Sequence, residues 1–185
     1  MTERAPRSRS APVDPPGLDG VLSAYASGVT LVTIADGRDD IGTTVSAFCP
    51  VSLDPPLVLI CLLSASYPAE LLGAGPGGVG DAPGSAAGRF AVCLLAAGQR
   101  MLAGRFAAAG RPNARRMLDA VPHTRGALSG ALIPDGGLAA MECEVTQRIP
   151  AGDHLVLIAR VLAVPYQSPS GDPLVRFRGH YPALR

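Results

Sequence analysis

The sequence predicts a mainly β fold with a few helices, its strands wrapped into a barrel. Three observations carry that expectation. Segments of strand length rich in Val, Ile, Leu and Thr recur along the chain. Turn residues separate several of them at hairpin spacing. Helical stretches are few and short. Closure into a barrel would also remove exposed strand edges.

In chain order, residues 1–17 are rich in Pro, Arg and Ser and hold little that packs, so they read as a disordered N-terminal arm before one domain over 18–185. Leu18–Ala26 forms a short helix ahead of Gly28. Val29–Ile34 is a strand closed by the turn Asp36–Gly37, and Ile41–Phe48 returns as its hairpin partner. Asp54–Pro55–Pro56 breaks the pattern before Leu57–Leu63, a continuous apolar run of strand length. Pro68–Leu72 suggests a turn or two of helix. Residues 73–88 are a Gly/Ala/Pro insert of low complexity, expected as a flexible surface loop. Phe90–Leu95 is a buried strand and Gln99–Ala109 an Ala-rich helix. A polar, basic connector runs to about Gly137. Leu138–Ile149 and Leu155–Val164 are long strands joined by the turn Pro150–Asp153, and Leu174–Phe177 adds a last short one.

Composition narrows the function. A chain of 185 residues, 48% hydrophobic and 17% charged, suits one packed domain. A net charge of +1 offers no reason for a nucleic acid or an acidic membrane as partner. No apolar run approaches the roughly 20 residues of a membrane span, and the N-terminus lacks the apolar centre of a secretory signal. A cytoplasmic protein is expected. Cys49, Cys61, Cys93 and Cys143 are scattered, a pattern of reduced thiols rather than a disulfide framework or zinc site. All 16 basic residues are arginine, so no lysine exists for a Schiff base or a Walker A phosphate contact.

Gly75-Pro-Gly77-Gly-Val-Gly80 matches G-x-G-x-x-G by letter. A dinucleotide fold needs a strand before it, a helix start after it and an acidic residue about 20 positions on. None is in place, so the match is assigned to chance in a chain of 22 glycines.

Several segments, in one order, resemble the short-chain flavin reductases, the reductase components of two-component flavin-dependent monooxygenases. They are Gly28-Val-Thr30-Leu-Val-Thr33, Gly42-Thr-Thr-Val-Ser46-Ala-Phe48, Val51-Ser-Leu-Asp-Pro-Pro-Leu-Val-Leu59 with Cys61, and Arg89-Phe-Ala-Val92. Arg105-Phe106-Ala107, Ala151-Gly-Asp-His154 and Arg178-Gly179 with Tyr181 complete the set, which spans about residues 20 to 184. The resemblance implies an FMN-binding split β-barrel and a homodimer. It implies NADH or NADPH as hydride donor, FMN or FAD as acceptor, and a separate monooxygenase that receives reduced flavin.

Carried over residue by residue, Thr43, Thr44, Val45, Ser46 and Ala47 match the flavin-lining strand, with Cys49 and Pro50 just beyond. Ser64, Ala65 and Ser66 match the loop that receives the flavin phosphate. Phe106 and Ala107 match a later contact, with Arg105 beside them. Gly152, Asp153 and His154 match the hairpin that meets the nicotinamide nucleotide, and His154 is the catalytic candidate. Hydroxyls, backbone N–H groups and an arginine are the donors a phosphate needs. Hydride transfer itself belongs to the cofactors and needs chiefly their orientation.

Taken singly, each residue has a plainer reading. Thr43, Thr44 and Ser46 are common strand residues, Gly152–His154 a turn, Ser64 and Ser66 helix starters, and Arg105 a solvated charge. His123 and His180 read as structural or surface residues. Cys93 stands where the family usually carries Asn, and Phe177 and His180 alter its C-terminal pattern. These departures keep open a flavin-binding barrel without reductase activity, an electron carrier or a repurposed catalyst. An empty structural barrel is disfavoured by the intact Thr43–Phe48 and Gly152–His154 segments.

Overall fold

The computed structural model describes residues 15–37, 39–74, 88–168 and 170–184. Residues 1–14 of the expected arm and 75–87 of the expected insert, including the Gly75–Gly80 motif, lie outside them. Helix α1 (Pro15–Leu22) starts and ends earlier than the expected Leu18–Ala26. A proline at its start costs nothing, because the first amides of a helix have no internal acceptor. β1 (Ser27–Gly28) leads into β2 (Thr30–Ile34), then β3 (Ile41–Val45), β4 (Phe48–Leu53) and β5 (Pro56–Leu63). α2 (Tyr67–Gly73) is capped by Ser66, and β6 (Arg89–Leu94) follows. A single 3-10 turn (Ala97–Gln99) opens α3 (Arg100–Ala107).

The connector to Gly137, expected to be irregular, holds α4 (Ala114–Met117), β7 (His123–Arg125) and β8 (Leu132–Pro134). Asn113 starts α4 by accepting from the Arg116 amide at 2.9 Å, a local cap that hydrophobic periodicity does not register. The long hairpin of β9 (Ala139–Ala151) and β10 (His154–Gln167) follows, and β11 (Val175–Arg176) pairs with β1.

Seven strands form one sheet in the order β3-β2-β6-β9-β10-β5-β4, with every pairing antiparallel. Among the described residues the sheet is not closed by hydrogen bonds. Its edge strands β3 and β4 are consecutive in the chain, joined by Ser46–Ala47, so covalent continuity spans the gap where barrel closure was expected. The expected single strand Ile41–Phe48 is broken at that bend, and Phe48 begins β4.

Side-chain alternation along β2 and β6 feeds two apolar clusters. Val32, Ile34, Phe90 and Val92 join Val58, Ile60, Leu62 and Leu157 in the barrel interior. Leu31, Ala91 and Cys93 join Leu102, Phe106, Leu118 and Ile133, beneath α3, α4 and β8. Both strands are thus buried on two faces, which explains why their sequences run apolar without strict alternation. The two threonines of β2 are buried but satisfied: Thr30 Oγ1 donates to Val45 O (2.8 Å) and Thr33 Oγ1 to Leu132 O (2.6 Å).

Candidate functional site

β3 is the spine of the site. Ile41 and Val45 turn toward the barrel interior, while Gly42 and Thr44 turn toward α3. The Phe106 ring fills the place where a Gly42 side chain would stand, so only glycine lets α3 lie this close. Thr44 Oγ1 donates to Ala103 O at 2.8 Å, which locks the helix to the strand and commits that hydroxyl. Thr43 and Ser46 stay half-buried, Val45 is core, and Ala47 is exposed with its carbonyl accepting the Cys61 amide at 3.0 Å. Cys49 and Pro50 are exposed on β4.

The loop after β5 and the tip of the β9–β10 hairpin meet. Leu63 is register partner to His154, and the Ser64 amide donates to Asp153 O at 2.9 Å. Gly152 adopts φ 62°, the left-handed turn that glycine favours, and so swings Asp153 and His154 back across β5. His154 Nδ1 lies 2.7 Å from Asp153 Oδ1, and this hydrogen bond, together with electrostatic attraction from His154, lowers the Asp153 carboxyl below its ordinary value. Ser66 Oγ accepts the Ala69 amide at 3.3 Å as the cap of α2, so its hydroxyl proton is still available to a ligand. Ser64 and Ala65 are exposed.

Two cavities lie at opposite ends of β3. One, of about 650 Å³, is walled by Asp39, Gly42, Ala65, Ser66, Arg111 and Asn113 among others. The other, of about 440 Å³, is walled by Tyr25, Ser27, Ser46, Ala47, Arg176 and Gly179 among others. Four residue steps lead from Gly42 to Ser46, about 13 Å at the rise of an extended chain. That separation is of the order of the length from the ring to the phosphate of a flavin. The Ser66 hydroxyl and the Arg111 guanidinium stand at one end, and Tyr25, Ser46 and Ala47 with the exposed Arg176 at the other.

The expected residues are therefore only partly gathered. Ser46, Ala47, Ala65, Ser66 and the hairpin tip lie around β3 and β5, with Phe106 packed behind Gly42, whereas Thr43, Thr44 and Val45 line neither cavity. Arg105 is exposed and lines a different cavity, of about 460 Å³, with Arg100, His180 and Tyr181. Ala107 is exposed at the end of α3. Cys93 is fully buried, and burial pushes its thiol up to about 12, so it serves packing. His123 is an exposed residue of β7, its Nδ1 set 2.8 Å from Val121 O. Phe177 and His180 exchange backbone hydrogen bonds across Arg178–Gly179, and Gly179 borders two of the cavities.

Two residues escaped the sequence reading. Arg111 donates from Nε to Gly42 O (2.9 Å) and from a terminal nitrogen to Ala108 O (3.1 Å). Asp40, 3% exposed, is held by Arg115 and by both terminal nitrogens of Arg125, while its carbonyl accepts the Ala114 amide. Burial opposes ionisation of Asp40, but the two guanidiniums outweigh it and keep the carboxyl below its ordinary value. Sixteen arginines with no pattern of spacing gave no signal for singling out three of them.

Comparison with known proteins converges on one group. The family description "Flavin reductase like domain" matches residues 22–185. An NADH-dependent FMN reductase of Streptomyces nodosus subsp. asukaensis is 34% identical over 164 residues, which cover 89% of this chain and 82% of that one. The reductase component of 4-hydroxyphenylacetate 3-monooxygenase from Thermus thermophilus is 34% identical, covering 88% and 92%. Among solved structures, the NADH:FAD oxidoreductase of Streptomyces globisporus, in complex with NAD and FAD fragments, superposes with a TM-score of 0.79 at 30% identity, covering 95% and 98%.

Proposed function

This chain belongs to the flavin reductase-like family, a split barrel, and from that premise we propose that it is an NAD(P)H-dependent flavin reductase supplying reduced FMN or FAD to a separate monooxygenase. The observation that carries the reading is the pair of cavities at the two ends of β3, next to a hairpin tip that bears His154. Bound flavin would accept hydride from the nicotinamide. The chain's own part is to hold and orient the two molecules.

In this assignment Ser46 and the Ala47 backbone line the ring end, Thr43 lies on the strand between the two ends, and Ala65 and Ser66 line the phosphate end. Phe106 sets the floor beneath Gly42. Gly152–His154 receives the nicotinamide nucleotide, with the half-exposed imidazole of His154 free to meet a carboxamide or to balance charge on reduced flavin. The Asp153 carboxylate beside Nδ1 fixes the ring's direction.

A homodimer fits the same assignment. Outside the barrel, Leu59, Leu63, Val156 and Ile158 present an apolar face on β5 and β10, opposite the interior residues Val58, Ile60, Leu157 and Ala159. A second copy would cover it. Among the described residues no helix is long and apolar enough to cross a membrane, and a cytoplasmic place gives access to nicotinamide nucleotides.

The test is oxidation of NADH and NADPH by purified protein with FMN, FAD or no flavin. Turnover that requires added or bound flavin is the expected result. Flavin binding with no nicotinamide oxidation would move the protein to the carrier reading.

A further inference from the structure

We propose that Arg111 is the residue that neutralises the flavin 5′-phosphate, the group FMN and FAD share; the proposal rests on the flavin reading above. Arg111 is half-buried on the wall of the cavity of about 650 Å³ that Ser66 also lines. Its hydrogen bonds go to two carbonyls, Gly42 O at 2.9 Å and Ala108 O at 3.1 Å, and among the described residues no carboxylate pairs with it. Burial pushes its guanidinium below the ordinary value, as expected of a cation that has lost water without gaining an anion. Such a charge is costly unless a counter-charge arrives.

The carbonyl contacts also aim the group. Nε and one terminal nitrogen are fixed by protein, which leaves the fork's remaining N–H donors for a ligand in the cavity. Ser66, which lines the same cavity, contributes its hydroxyl proton. The acidic residue on that cavity, Asp39, accepts from Asn113 Nδ2 at 2.8 Å, a partner on the same wall, and makes no ion pair with Arg111. Arg105, the arginine beside Phe106-Ala107 in sequence, lines another cavity, with Tyr181. The charge thus comes from the loop after α3 and not from α3 itself.

The experiment compares FMN with riboflavin, which lacks the phosphate, by quenching of flavin fluorescence in the whole protein. Arg111→Gln is expected to weaken FMN by about 10- to 100-fold and riboflavin by less than about twofold. Arg111→Lys, which keeps the charge, should fall between and also serves if the glutamine variant does not fold. Equal weakening of both ligands by both variants would make Arg111 a purely structural tie and overturn the proposal. A selective loss of FMN in Arg105→Gln but not in the Arg111 variants would return the charge to Arg105 and overturn it as well. Wild-type protein that binds neither ligand would instead refute the flavin reading on which it rests.

Discussion

The Ser64 amide donates to the Asp153 carbonyl at 2.9 Å, so the loop beside the cavity of about 650 Å³ and the hairpin that carries His154 are one hydrogen-bonded unit. Because the bond is between backbones, side-chain substitutions in the hairpin leave the loop in place. His154→Ala should therefore raise KM for NADH about tenfold while FMN affinity changes less than about twofold, the loss of roughly one hydrogen bond. Steady-state kinetics beside a flavin titration measure both, and equal loss of the two would refute the role given to His154.

Gly42→Ala places a methyl group into the Phe106 ring and against Ala114. The expected cost is about 1–3 kcal/mol, read from urea unfolding. Combining it with Phe106→Leu should recover part of that cost, since the clash lies with one ring.

Asp40→Asn should destabilise the protein by about 2 kcal/mol, below the usual cost of breaking a buried pair because both arginine partners are half in water. Its carboxyl is held below the ordinary 3.8. The stabilisation is therefore complete above that value and fades as pH falls below it, through the folded-state pKa. Unfolding curves of wild type and variant should stay parallel and separate from pH 7 to about 5, then converge under stronger acid.

The proposed dimer face can be broken at one position. Ile158→Glu, on the outer side of β10 opposite Leu59, should convert a sedimenting dimer to monomer with the circular dichroism spectrum retained. A wild-type protein that already sediments as a monomer would reject the dimer.

Most of the strand framework was legible because its cause is local: β-branched runs bounded by turn residues mark strands wherever they fall, and β2, β5, β6, β9 and β10 lie where they were expected. The bend at Ser46–Ala47 was not legible, since Thr43 to Phe48 carries no breaker and the chain turns there to start the opposite edge of the sheet. The connector's α4 and β7 are held by Asp40 through Arg115 and Arg125, contacts 75 and 85 residues apart in sequence, and β8 pairs with β7. The site divides the same way. Gly152–His154 announces itself by turn chemistry, whereas Arg111 gains meaning only from the carbonyl of Gly42, 69 residues away.

The single covalent link between the two edge strands has a consequence for turnover. No ladder hydrogen bonds run from β3 to β4, so the seam beside Ser46 and Ala47 can widen without dismantling the sheet. A molecule seated along that seam can be exchanged by local breathing, while the seven-stranded framework stays intact.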